Sequence, residues 1–133
     1  MKKLFLFIAT AFAIQFSKAQ ETLTKLSDTL SNADTVYITF TGAPSKIKAF
    51  QLDLTRLSGS ISTSGIALLQ GTVNGISWVD VNTDTLKLTN TALQTKIWTL
   101  TSNNYTSYRA CIRIPAGTQT SRARLTYLRR RDE

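Results

Sequence analysis

The sequence predicts an all-β chain, an antiparallel β-sandwich of about eight short strands. Three observations carry this. Runs of alternating apolar and polar residues recur, punctuated by turn residues at intervals of about 8–12. No stretch after residue 20 keeps the spacing of a long amphipathic helix. Asn74-Gly75 stands between apolar-rich runs, and both residues tolerate the positive φ that a two-residue type I′ hairpin turn requires.

The chain opens on a different kind of segment. Met1-Lys2-Lys3 is a short basic start, and Leu4 to Phe16 is an almost unbroken apolar run. The run is too short to span a bilayer comfortably. Ser17-Lys18-Ala19 then places small residues three and one before a cut that leaves Gln20 first. This is the layout of a secretory signal peptide over residues 1–19, with a retained anchor as the alternative. Polar Gln15 and the polar sequence beyond Gln20 favour cleavage, and no other stretch is apolar enough to span a membrane. The expected destination is outside the cytoplasm: secreted, periplasmic or cell-surface, with a virion as the alternative.

Residues 20–33 are polar, with Leu23, Leu26 and Leu30 at helix-compatible spacing. Thr, Ser, Asn and Asp dominate, which favours a linker or an edge strand over a helix. The sandwich domain is expected over residues 34–131. Val36, Ile38 and Phe40 form one apolar face of a half-buried strand. After a turn at residues 42–45, Ile47 to Leu57 reads as a longer strand whose apolar phase slips. Ile47 and Ala49 share a face, whereas Phe50, Leu52 and Leu54 occupy the other. A bulge near Ala49 would re-phase it, or both faces are covered. A Ser- and Gly-rich loop leads to the Asn-Gly hairpin. In its second arm Ile76, Trp78 and Asp80 point one way, and Ser77, Val79 and Val81 the other. Short strands follow at residues 85–89 and 93–101. Two late strands alternate cleanly. Tyr108, Ala110, Ile112 and Ile114 face inward in the first, and Ala123, Leu125 and Tyr127 in the second.

Composition excludes most chemistry. The 133 residues contain no histidine and one cysteine, Cys111. The usual general base, the Ser-His and Cys-His pairs and the commonest zinc ligand are therefore missing, and a thiolate metal site and an internal disulfide are excluded. Cys111 reads as a small buried strand residue, or, if exposed, as a link between subunits. Asp80 and Asp84, with Asn82 between them, suit either calcium or a turn in which Asp and Asn bond their own backbone; the turn is favoured. Glycoside hydrolysis needs two carboxylates across a cleft, and the few acids lie near turns or chain ends. The expectation is a non-enzyme with no cofactor and no metal.

Charge and aromatics supply the candidate site residues. Of 16 Lys and Arg, cleavage would remove Lys2, Lys3 and Lys18, leaving 13 against eight Asp and Glu, a net charge of +5. The basic residues cluster late. If the strands at 108–114 and 121–129 pair as a hairpin, Arg109, Arg113, Arg122 and Arg124 project from one sheet face. That face is either solvated or docks on an acidic polysaccharide or acidic protein partner, because guanidinium forks match carboxylate and phosphate. Arg129, Arg130 and Arg131 extend it as a basic tail. No specific nucleic-acid site is read. Trp78 and Trp98 are candidate glycan-stacking residues, although alternating strands like these favour burial. Self-association stays open.

Two stretches carry a resemblance. Leu69 to Val81, LQGTVNGISWVDV, resembles the LQGSxDGxxWxxV strand-turn-strand of discoidin-like jelly rolls. It also resembles small β-sandwich proteins of Bacteroidota phages and their hosts, which tend to show a DTLxLTN stretch (here Asp84 to Asn90) and a late YYRxxIxxxGT strand (here Tyr108 to Thr118). The resemblance implies a jelly-roll-like sandwich, often virion-associated. Asn74 and Thr72 depart from the discoidin pattern, and the paired cysteines are missing, so no discoidin lipid- or glycan-binding loop carries over. The expected function is a non-catalytic structural or adhesive module on a virion or cell surface, with a carbohydrate-binding module as the alternative.

Overall fold

A computed structural model describes residues 20–30, 35–41, 47–81, 83–101, 104–116 and 118–130. The signal-peptide segment 1–19, the turn at residues 42–45 and Arg131 lie outside them. The described residues form nine strands and no helix: β1 (Gln20–Leu30), β2 (Thr35–Thr41), β3 (Ile47–Ser58), β4 (Ile66–Thr72), β5 (Val79–Asp80), β6 (Leu86–Lys87), β7 (Leu93–Thr99), β8 (Ser107–Arg113) and β9 (Thr120–Arg130).

All ladders are antiparallel. One sheet has four strands in the order β1-β9-β3-β7, and the other runs β2-β8-β4-β5 with β6 also on β4. Apart from β4, β5 and β6, which share a sheet, successive strands alternate between the sheets, the two-layer winding of a jelly roll. The expected antiparallel sandwich is the observed fold. The polar segment at 20–30 is an edge strand, held along β9 from Gln20↔Arg130 to Leu30↔Ser121. The phase slip in β3 is a bulge: its register on β9 shifts between Ile47 and Ala49. The extra residue turns Phe50, Leu52 and Leu54 inward, where each is fully buried.

The core lies between the sheets. Phe40 and Tyr108 from the five-stranded sheet meet Phe50 and Tyr127 from the four-stranded one. The Phe40 and Tyr127 rings pack edge to face at 4.6 Å, and Phe50 lies 5.3 Å from Tyr108. Leu52, Leu69, Ile112 and Leu125 fill the space around them. Tyr105 packs on the end of β4, where a Cβ at Gly71 would lie 2.5 Å from its ring. Only glycine admits that approach.

One expectation fails here. The Asn-Gly stretch is not a two-residue hairpin. The last β4–β5 pair is Gly71↔Val79, so the loop between the ladders spans residues 73–78. Asn74 Oδ1 accepts from the amides of Ile76 and Ser77, both at 2.9 Å, and Thr72 Oγ1 accepts from Gly75 N at 3.0 Å. Thr106 N and Oγ1 donate to Thr72 O, and Thr106 Oγ1 also to Val73 O. The Asn74 side chain and Thr106 thereby capture groups that a tight hairpin would pair across the turn. Gly75 keeps the expected positive φ, 76°.

Trp98 follows the favoured reading of burial, which removes it as a stacking candidate. It is fully buried, on the inner face of β7, and its Nε1–H donates to Asp84 O at 2.7 Å. A ring walled in on all sides does not stack on a sugar. Trp98→Ala is expected to cost about 3–5 kcal/mol, read as a lower denaturant midpoint at unchanged slope. A stability equal to wild type would contradict this burial.

Candidate functional site

Alternation sends half of each strand outward, so the sandwich has two outer faces. The expected single arginine face does not exist. β8 and β9 do not pair: β8 lies between β2 and β4, and β9 between β1 and β3. Arg109 and Arg113 therefore sit on the outer face of the five-stranded sheet, and Arg122 and Arg124 on that of the four-stranded sheet. β8 and β9 belong to different layers, so the chain passes from one sheet to the other between them instead of turning back.

On the four-stranded sheet the centre is Asp53, 6% exposed. The register sets it between Arg124 of β9 and Thr95 of β7. Thr95 Oγ1 donates to its Oδ1 at 2.8 Å, Gln51 Nε2 to both oxygens at 3.0 and 3.2 Å, and Arg124 Nη2 and Nε to Oδ2 at 2.9 and 3.3 Å. Burial works to raise its pKa. The hydrogen bonds from Thr95, Arg124 and Gln51 and the charge of Arg124 outweigh it and hold the carboxyl below its ordinary 3.8. Around this pair the face is apolar and open. Leu57, Leu93 and Ile97 are 52%, 59% and 55% exposed. Two hollows flank Asp53. One of about 350 Å³ is lined by Thr55, Leu57, Leu93, Arg122 and Arg124, and one of about 310 Å³ by Ala49, Gln51, Ile97 and Leu128.

The opposite face is built on Arg109. Its guanidinium carbon lies 3.9 Å from the Tyr37 ring centroid and 4.2 Å from that of Trp78. Its Nε donates to Gln70 Oε1 at 2.9 Å, and Gln70 Nε2 donates to Asp80 Oδ1 at 3.0 Å. The β-ladders impose this, since Thr39, Arg109 and Gln70 stand in one cross-strand row with Asp80 beside them. Beneath lie Leu68 and Cys111, both buried yet outside the main core. Arg113 stands beside Cys111, whose sulfur pushes the guanidinium above its ordinary pKa, with smaller contributions from Tyr37 and Asp80. Cys111, at 0% exposure, is not placed to link subunits.

Of the Asp80–Asn82–Asp84 grouping, Asn82 lies outside the described residues, and both acids have protein partners. Asp80 is engaged by Gln70 and Asp84 by Lys96 Nζ at 2.5 Å, and the described residues hold no cluster of three or more metal-ligating side chains. Sequence reasoning missed Asp53, Tyr37 and the exposed leucines and Ile97. Strand alternation already marked Asp53 as the one acid in the outward phase of a long central strand.

No family's sequence model matches the chain, and no curated protein is similar to it. Its fold is similar to solved structures. The Yersinia pseudotuberculosis-derived mitogen superposes with a TM-score of 0.52 at 10% identity, over 86% of this chain and 90% of that one. The Tobacco streak virus coat protein, solved as a dimer, superposes with a TM-score of 0.52 at 12% identity, over 90% and 92%. At such identities the likeness is one of fold.

The lowered pKa of Asp53 gives a pH dependence. The stabilisation is complete above the unfolded-state value near 3.8 and is lost as pH falls through the lower folded-state value. Urea midpoints should drop as pH falls below 3.8 in the wild type and drop less in Asp53→Asn. Parallel curves would place the acid sensitivity elsewhere.

Proposed function

We propose that this chain is an exported, non-catalytic structural or adhesive module that works by contact, on a cell surface or a virion. The observation that carries this is the outer face of the four-stranded sheet. Leu57, Leu93 and Ile97 are half exposed around an ion pair that is already satisfied, and hollows lie on either side. Apolar groups that the core does not need, rimmed by charge, mark a protein-binding surface. Among the described side chains of this face the exposed charges are Arg122 and Arg124, and its acid, Asp53, is buried beneath Arg124. Two copies meeting through it would oppose like charges. Its complement is an acidic protein surface with apolar projections. The absence of histidine and the engagement of Asp53, Asp80 and Asp84 by neighbouring side chains support a role without catalysis. The export reading rests on residues 1–19, and the virion reading on the resemblance to small phage sandwich proteins.

A second reading, carbohydrate binding, is favoured by Trp78 alone, which is only half buried and lies on the open face over Arg109.

Export predicts that the protein leaves the cytoplasm with Gln20 at its N-terminus, read by intact mass; a full-length product held inside would refute it. Contact predicts that the purified protein is retained on the producing cell's envelope or on particles it releases. Ile97→Asp and Leu93→Asp should each cut that retention about tenfold, a loss near 1.4 kcal/mol, with the thermal midpoint kept. Retention unchanged in both variants, or turnover of any substrate by the wild type, would overturn the proposal. A dimer that these variants dissociate would replace the acidic partner with a second copy.

A further inference from the structure

Arg109 holds more than its own strand in place. A guanidinium has two faces and a rim of five in-plane N–H donors. Here the guanidinium carbon lies over two rings, Tyr37 at 3.9 Å and Trp78 at 4.2 Å, and one part of the rim, Nε–H, is bonded to Gln70. Among the described residues, its two Nη groups have no hydrogen-bond partner. Gln70 is itself fixed by Asp80, so the arginine is held in position before any ligand arrives. Ordering a long cationic side chain is one of the main costs of binding an anion, and this face has already met it.

We propose that this clamp is the binding site for a carboxylate-bearing sugar unit of an acidic polysaccharide: the Nη groups of Arg109 form the carboxylate fork, and the exposed surfaces of Tyr37 and Trp78 flank the pyranose ring. This deepens the carbohydrate-binding reading and rests on it. Two features select the ligand class. The fork matches a carboxylate in a bidentate pair, which a neutral sugar lacks. Broad aromatic surfaces on either side suit the apolar C–H face of a sugar ring better than a narrow acidic side chain on a peptide. Tyr37 is 48% exposed, so the flank is open to solvent. Arg113 stands four residues along the same strand face, about 13 Å away at strand rise, and is exposed. A second charge at that distance meets another acidic unit of a polymer, not the same sugar. Asp80 opposes an anion, but its carboxylate is engaged by Gln70 Nε2.

The test uses the purified protein with oligogalacturonate, neutral cello-oligosaccharide and polyglutamate as probes. Isothermal titration should show binding of oligogalacturonate, no binding of the neutral oligomer and at least several-fold weaker binding of polyglutamate. Arg109→Lys, which keeps the charge and loses the fork, should weaken oligogalacturonate binding about tenfold. Arg113→Gln should weaken it a few-fold, and Ile97→Asp, on the opposite face, should leave it unchanged. A fluorescence readout needs no arginine variant: oligogalacturonate should perturb the Trp78 emission of the wild type, and Trp78→Phe, which retains buried Trp98, should lose that response. Binding of the neutral oligomer with the same Trp78 response but none of oligogalacturonate would sink this inference and leave the carbohydrate reading standing. Binding of neither sinks both. Polyglutamate bound as tightly as oligogalacturonate, or full affinity in a folded Arg109→Lys, would also overturn the clamp.

Discussion

Phe40, Phe50, Tyr108 and Tyr127 press the two sheets together, and most of the molecule follows from that contact. Two rings come from each layer, and their edge-to-face and tilted packing fixes which side of β2, β3, β8 and β9 is inside. A strand offers its neighbours alternate residues only. Once Phe50 is inside, Gln51 and Asp53 are outside. Once Tyr108 is inside, Arg109 is outside. The bulge at the start of β3 shows how firmly this is enforced. The strand gives up a regular ladder between Ile47 and Ala49, and Ile47 is buried along with Phe50, Leu52 and Leu54.

The two outer faces have opposite characters. On the four-stranded sheet the polar groups satisfy one another around Asp53, and the apolar ones are left facing water. On the five-stranded sheet the apolar Leu68 and Cys111 are covered, and a cation held between aromatic rings is presented instead. One face offers oily projections around neutralised charge. The other offers directed charge over a stiff base.

Much of the fold was legible because period-two alternation is a local property. The inward sets of β2, β8 and β9 were read from sequence and are the buried sets. What sequence did not disclose is which strand lies beside which. The strands at 108–114 and 121–129 are neighbours along the chain, and local reasoning pairs such neighbours into a hairpin. In a jelly roll they belong to different layers, because the connection crosses the sandwich. The arginines were therefore correctly read as outward but wrongly gathered on one face. The same limit applied to the tryptophans. Trp78 and Trp98 look alike in sequence, but Trp98 follows the inward phase of β7, whereas Trp78 sits in a loop outside any ladder. The loop at 73–78 misled for another reason. Asn74-Gly75 suits a tight turn, but Thr106, distant in sequence, claims the carbonyls such a turn would use.

The placement of β9 between β1 and β3 has a temporal consequence. On a ribosome, β1 and β3 emerge long before the strand that must slot between them. Until Thr120–Arg130 is available the four-stranded layer has a gap at its centre, and the aromatic cluster lacks Tyr127. The nascent polypeptide is thus denied a finished sheet to collapse onto for most of its synthesis. Its closing pairings span nearly the whole sequence, the arrangement that makes folding slow.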